Sequence, residues 1–252
     1  MKLLLISGHG AGASGATAEH NGIAYREADL TREVTAWLAA EMEKYCETDI
    51  YPIDRDAFQD ANSGRLAVDF SEYDYILEIH FNAIMESYSD GETKGTELYV
   101  INSKRIGSME LAIVKNIVNC GFRNRGVKIN PFLVIRTAER AGTPAALLEV
   151  CFIDDPDDMA VYNAQFGNIV YGIRDALVPG LNLGPAEGGE IAMPKFNDVR
   201  PDAWYSSAVD YVADKGLMDG VGNNRFDPNG AVTRAQLATV VARLHEALTK
   251  TN

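Results

Sequence analysis

This 252-residue sequence is poor in several things, and each shortage narrows what the chain does. It has three cysteines, Cys46, Cys120 and Cys151, an odd number with no CxxC spacing. That argues against a disulfide framework and against a cysteine-built metal site, and it fits folding in a reducing compartment. It is short of positive charge: 23 Lys and Arg face 36 Asp and Glu, a formal net charge of −13. Nucleic acids and anionic membrane surfaces recruit proteins through Lys and Arg, so neither is an expected partner. No apolar run approaches the ~20 residues of a membrane span. There are four histidines, His9, His20, His80 and His245, so any imidazole chemistry has few candidates.

The opening, MKLLLISGHGAG, imitates a secretory signal. Its apolar run ends after Ile6, whereas a signal needs roughly 7–15 apolar residues and a cleavage site. A short apolar run closed by glycines reads as a buried strand, Lys2–Ser7, with His9 just past its carboxyl end. Ligands of open α/β sheets bind at that edge.

Residues 1–178 alternate strand-like and helix-like stretches. Strands are expected at Lys2–Ser7, Asp49–Ile53, Tyr75–His80, Thr96–Val100, Phe132–Ile135 and Ala146–Phe152. Helices are expected over Glu27–Tyr45, Ser108–Gly121 and Asp158–Leu177. The alternation implies an α/β fold, a mostly parallel twisted sheet of about six strands flanked by helices. Residues 179–194, PGLNLGPAEGGEIAMP, read as a linker. Residues 195–252 read as a small all-α segment. One helix is expected over Asp202–Lys215, closed by Gly216, and a second is capped by Thr233, with Leu237, Val240, Val241 and Leu244 as its apolar face.

Polar residues punctuate the expected strand ends. His80 closes YDYILEIHFNA, with Asn82 two residues on. Glu149 lies inside the apolar run PAALLEVCFI, where an ionised carboxylate is costly unless paired or functional. Glu27 starts the first long helix, a favourable place for a carboxylate in any protein. Two histidines and a carboxylate form a common ligand set for catalytic zinc, leaving a position for water. His9, Glu27 and His80 fit those roles, and Glu149 fits the base that moves the proton. His20 competes with Glu27 as a ligand, although its polar loop favours an exposed side chain. The plainer readings, a loop-capping histidine and a helix-start charge, stay open on spacing alone.

These stretches occur in the order found in a known family. ISGHGAG, Glu27 before ADL, EIHFNA, GTELYV, RGVK and LVIRTAERAGTPAALLEVCFIDDPDD together resemble the zinc-dependent N-acetylmuramoyl-L-alanine amidases of the amidase-3 type. The resemblance covers nearly all of residues 2–178. It implies a six-stranded sheet, one Zn2+, and hydrolysis of the amide joining the lactyl group of N-acetylmuramic acid to L-alanine in peptidoglycan. His9, Glu27 and His80 match the zinc ligands, and Glu149 matches the catalytic glutamate. Asn82 and Arg136 fall in matching motifs, as substrate contacts or as structural polar groups. Two places depart from the pattern: the first loop reads GHGAGASGAT, and Glu78 stands where such enzymes often carry a small polar residue.

Residues 196–245 resemble one S-layer homology motif, through FNDV, Trp204, GLMDG, FDPNG and TRAQ. This implies binding of a secondary cell-wall polymer, with Trp204 and Arg234 as candidate contacts. About 50 residues bury little core, and repeat units need neighbours. In the family it resembles, three such motifs normally assemble into one three-fold unit, so the resemblance implies a homotrimer built through this segment; a remnant that packs on the first region or hangs loose is the alternative. With no signal peptide read at its start, the chain is expected to be made in the cytoplasm and to reach the wall on lysis, as an endolysin or autolysin. A zinc peptidase of the stem peptide and a non-catalytic wall-binding protein are the alternatives.

Overall fold

Leu3, Leu4, Leu5 and Ile6 are all fully buried in a computed structural model of the chain. The structure describes residues 1–10, 12–84, 89–184, 195–199, 205–228 and 230–249. The four residues are the centre of β1 (Lys2–Ser7), which lies inside a sheet covered on both faces. Leu3 and Leu5 enter one hydrophobic cluster and Leu4 and Ile6 the other. That is why the run is continuously apolar rather than alternating. Each such side chain contributes about 1.5–3 kcal/mol by leaving water.

The chain divides into two units, Met1–Glu187 and Gly188–Asn252. In the first, a hairpin of β2 (Thr17–His20) and β3 (Ile23–Arg26) follows β1 and runs directly into α1 (Glu27–Met42). Next come β4 (Glu47–Ile50), α2 (Ala57–Ser63), β5 (Tyr75–Asn82), β6 (Thr96–Val100) and α3 (Ser108–Val118). β7 (Asn124–Ile129), α4 (Leu133–Arg140), β8 (Ala145–Phe152) and α5 (Pro156–Gly180) complete it. The six-stranded sheet has the order β4-β1-β5-β8-β6-β7, and β6 and β8 form its antiparallel pair. The expected architecture, mostly parallel and flanked by helices, is the one observed.

Three expectations inside this unit are corrected. Phe132–Ile135 is not a strand but the entry to α4, whose Val134, Ile135 and Ala138 are buried at helical spacing. A four-residue apolar run does not distinguish the two, and the helix formers after it decide. The sixth strand is β7, an edge strand of sequence NRGVKI with no apolar run to reveal it. Of the linker expected over residues 179–194, Pro179 and Gly180 belong to α5, and residues 185–194 lie outside the described residues.

The second unit holds α6 (Ser206–Asp214) and α7 (Arg234–Thr249). α6 starts four residues after the expected Asp202, and Trp204 lies outside the described residues. Asp198 accepts the backbone N–H groups of Phe226 (2.8 Å) and Asp227 (2.9 Å), tying the loop before α7 to the segment before α6. Val199 and Val209 are buried. Thr233 caps α7 as expected: its Oγ1 accepts from Gln236 N, and the Gln236 side chain accepts from Thr233 N. Of the expected apolar face of α7, Leu237, Val241 and Leu244 are exposed. No described helix is long and apolar enough to cross a membrane.

Candidate active site

The site lies at the carboxyl ends of β1, β5 and β8. His9 follows β1 at a left-handed φ of 63°, unusual for a residue with a side chain. Its neighbours hold it there. Gly8 N donates to Ile79 O at 2.8 Å, and Gly8 O accepts from Thr31 Oγ1 at 2.8 Å. His9 O accepts from Arg32 Nη2 at 3.2 Å, and Gly10 N donates to Asp56 Oδ2 at 3.1 Å. A Cβ on Gly8 would stand 2.4 Å from the His80 ring, and one on Gly15 would stand 2.5 Å from Glu27 Oε2. Both positions therefore require glycine.

Glu27 opens α1 and is 4% exposed. The hairpin brings it in; Asn21 and Gly22, both at positive φ, make the tight turn. Glu27 Oε2 faces His9 Nε2 at 2.9 Å, and Oε1 faces His80 Nδ1 at 3.0 Å. Ala16 N and Phe81 N donate to the same carboxylate at 2.9 and 3.1 Å. Burial alone would raise the Glu27 pKa, but the hydrogen bonds to His80 and His9 win and hold it well below the carboxylate range. Burial alone would lower the His80 pKa, but bonds to Glu27 and Glu78 hold it well above the usual value. A ligand atom from each of His9, Glu27 and His80 lies within 4.8 Å of the other two, a geometry that could hold a metal ion. Such a cation would take the place of the imidazole proton.

Glu149 sits on β8 directly beside His80 on β5. Its Oε2 is buried with no hydrogen-bond partner among the described residues. Burial pushes its pKa up; the charge on His80 pulls it back, Glu27, Glu97 and Glu78 push it up again, and it settles at about 7. His9, Glu27, His80, Asn82 and Glu149 line one cleft of about 560 Å³, with Phe132 and Leu133 on its apolar side.

The structure thus brings His9, Glu27, His80 and Glu149 together. Asn82 also lines the cleft, but its Nδ2 donates to Glu97 Oε1 at 2.9 Å, so it has a structural partner. Arg136 lies on α4 with Nε buried and without a hydrogen-bond partner among the described residues. His20 is not the exposed side chain expected: it is half-buried, and its Nε2 bonds to Ile153 O at 2.9 Å. This bond ties the hairpin to the end of β8 and leaves His20 outside the group. Arg234 is exposed at the start of α7. A cluster without an expected role also emerges. Buried Glu97 accepts from Asn82, from Tyr99 Oη at 2.7 Å and from Arg125 Nε at 2.6 Å, and it pairs with Lys128. GTELYV and RGVK held those residues, but only the β6–β7 pairing shows that they meet.

Fold and site define an α/β protein with a His–Glu–His group at its strand ends that could hold a cation, and a buried glutamate with an unpaired oxygen beside it. The profile of the N-acetylmuramoyl-L-alanine amidase family matches residues 3–178, and the chain belongs to that family. The S-layer homology domain profile matches residues 195–238. An N-acetylmuramoyl-L-alanine amidase from Clostridium difficile 630 is similar in structure, with TM-score 0.59 and 22% identity over 72% of this chain and 96% of that one. The catalytic domain of the amidase CwlV from Bacillus (Paenibacillus) polymyxa var. colistinus gives TM-score 0.59 and 21% identity, over 73% and 99%. At such identities these likenesses establish the fold. An uncharacterized protein of Clostridium perfringens is 29% identical over 126 residues, 48% of this chain. The match spans 36% of that relative's length. One S-layer homology segment is matched, and nothing in the comparisons supports the expected trimer.

Proposed function

We propose that this chain is a zinc-dependent amidase that cleaves peptidoglycan between the lactyl group of N-acetylmuramic acid and L-alanine. The observation that carries the reading is the convergence of His9, Glu27 and His80 beside Glu149, in a chain of this family. Two imidazole nitrogens and one carboxylate oxygen are a donor set suited to zinc, with a position left for water. When bound there, zinc would polarise the scissile carbonyl and lower the pKa of a water. Glu149, in its carboxylate form, takes the proton of the attacking water and returns it to the departing alanine nitrogen. Its unpaired buried oxygen leaves it free for both transfers. Asn82 and Arg136 are proposed substrate contacts. The S-layer homology segment, with Trp204 and Arg234, is proposed to hold the enzyme to a wall polymer.

The test is digestion of soluble peptidoglycan fragments with and without a chelator, read by mass spectrometry. Intact stem peptides with a free L-alanine amine are expected, lost on chelation and restored by Zn2+. Cuts within the stem peptide would instead make the chain a zinc peptidase. No cleavage of any wall type would leave a binding protein.

Gly8→Ala tests the crowding around His80. Its new methyl would stand 2.4 Å from the ring, so His80 must move. Zn2+ affinity is expected to fall by about tenfold or more, as when the support of a ligand is lost. Competition with a chromophoric chelator reads the change, and unchanged affinity would show that the loop gives way instead.

A further inference from the structure

We propose that Glu78 orients His80 for cation binding by accepting a hydrogen bond from its outer ring nitrogen. The inference rests on reading His80 as a metal ligand. The two nitrogens of His80 face different carboxylates. Nδ1 faces Glu27 at 3.0 Å, on the side where His9 Nε2 also converges. Nε2 points away from that group and meets Glu78 Oε1 at 3.2 Å. A neutral imidazole has one N–H and one lone pair, so an N–H held at Nε2 by Glu78 leaves the Nδ1 lone pair aimed into the site. Carboxylate partners of this kind set the ring angle and basicity of metal-binding histidines.

Glu78 is an expensive residue in its position. It lies two residues before His80 on β5, so strand alternation puts both on one face. Its register partners on either side are Ile6 and Leu147, and both, with Ile76, belong to the hydrophobic cluster on that face. The Glu78 side chain is 5% exposed, and its Oε2 has no hydrogen-bond partner among the described residues. A leucine here would continue the apolar row, whereas a half-satisfied buried carboxylate carries a desolvation cost. The bond to His80 is what the carboxylate gains. Glu78 is therefore a positioning residue, and it bears on cation binding through its bond to His80.

The experiment compares Glu78→Leu and Glu78→Gln with the unchanged full chain, using Zn2+ competition against a chromophoric chelator. The visible spectrum of the Co2+ form is recorded for each. Glu78→Leu, which removes the acceptor, is expected to weaken Zn2+ binding by about 10–100-fold and to change the Co2+ bands. Glu78→Gln keeps an acceptor oxygen and is expected to stay within about threefold, with the Co2+ bands preserved. If Glu78→Leu fails to fold, Glu78→Ser, too short to reach Nε2, carries the same expectation. Glu78→Leu binding Zn2+ as tightly as the unchanged chain would overturn the inference alone, and so would Glu78→Gln binding as weakly as Glu78→Leu. An unchanged chain that binds no Zn2+ would overturn the proposed function and this inference with it.

Discussion

Glu149→Gln is expected to lower kcat by about 10²–10⁴-fold, the usual contribution of a positioned general acid–base. Zn2+ binding should be retained, because Glu149 is not one of the three converging ligands. Glutamine fills the same volume and leaves the strand pairing with His80 and Glu97 untouched. The loss should therefore appear in kcat with little change in KM. The pH profile supplies a second readout. Only the carboxylate form accepts a proton, so activity should rise with pH through the Glu149 pKa. Burial puts that value at about 7 without a cation. A nearby cation favours the carboxylate form, so the acid limb is expected below 7 in the zinc-loaded enzyme. An acid limb unchanged in a residually active Glu149→Gln would assign the proton transfer to another group.

Glu27→Gln is expected to remove both activity and tight Zn2+ binding. In the proposed ligand set Glu27 would supply the negative charge, and it receives two backbone N–H bonds that fix it in place. Glutamine keeps one acceptor oxygen, so the helix start and hairpin should persist while the charge is lost. The metal-free protein offers a check by linkage. The Glu27 pKa is held below its ordinary value of 4.5, so its contribution to stability is complete above 4.5. It is lost as pH falls towards the depressed value. In metal-free Glu27→Gln that part of the acid-induced fall in Tm should disappear. Thermal melts between pH 7 and pH 3 measure it, and a Tm profile matching that of the unchanged chain would mean that the His9–Glu27–His80 contacts contribute little to the fold.

Much of the fold was legible wherever one physical signal dominated. An unbroken apolar run marked β1 and largely apolar runs marked β5 and β8, because interior strands of a covered sheet bury both faces. Edge elements were harder. β7 is half-exposed and polar, and β4 begins two residues earlier than its apolar residues imply. The hairpin was missed although Asn21-Gly22 carries a strong turn signal, because its strands are only four residues each. The four-residue run at Phe132–Ile135 was ambiguous in principle, and the helix-forming residues after it settled the matter.

The amino-acid sequence by itself determined which groups are available for chemistry: few histidines, carboxylates inside the apolar runs of β5 and β8, and glycines flanking His9. It also determined the alternation that makes a parallel sheet. The tertiary structure decided which of those groups meet. Glu27 and His80 are 53 residues apart in the chain and 3.0 Å apart in space. That distance depends on β1 pairing with β5, on the hairpin that returns the chain to α1, and on Gly8 leaving room for an imidazole. It likewise separated His20 from the group, placed Glu97 among Arg125 and Lys128, and set Glu78 behind His80. Side chains hold a cation or pass a proton over only a few ångströms, and separations of that size are fixed by strand register and backbone path, not by residue type.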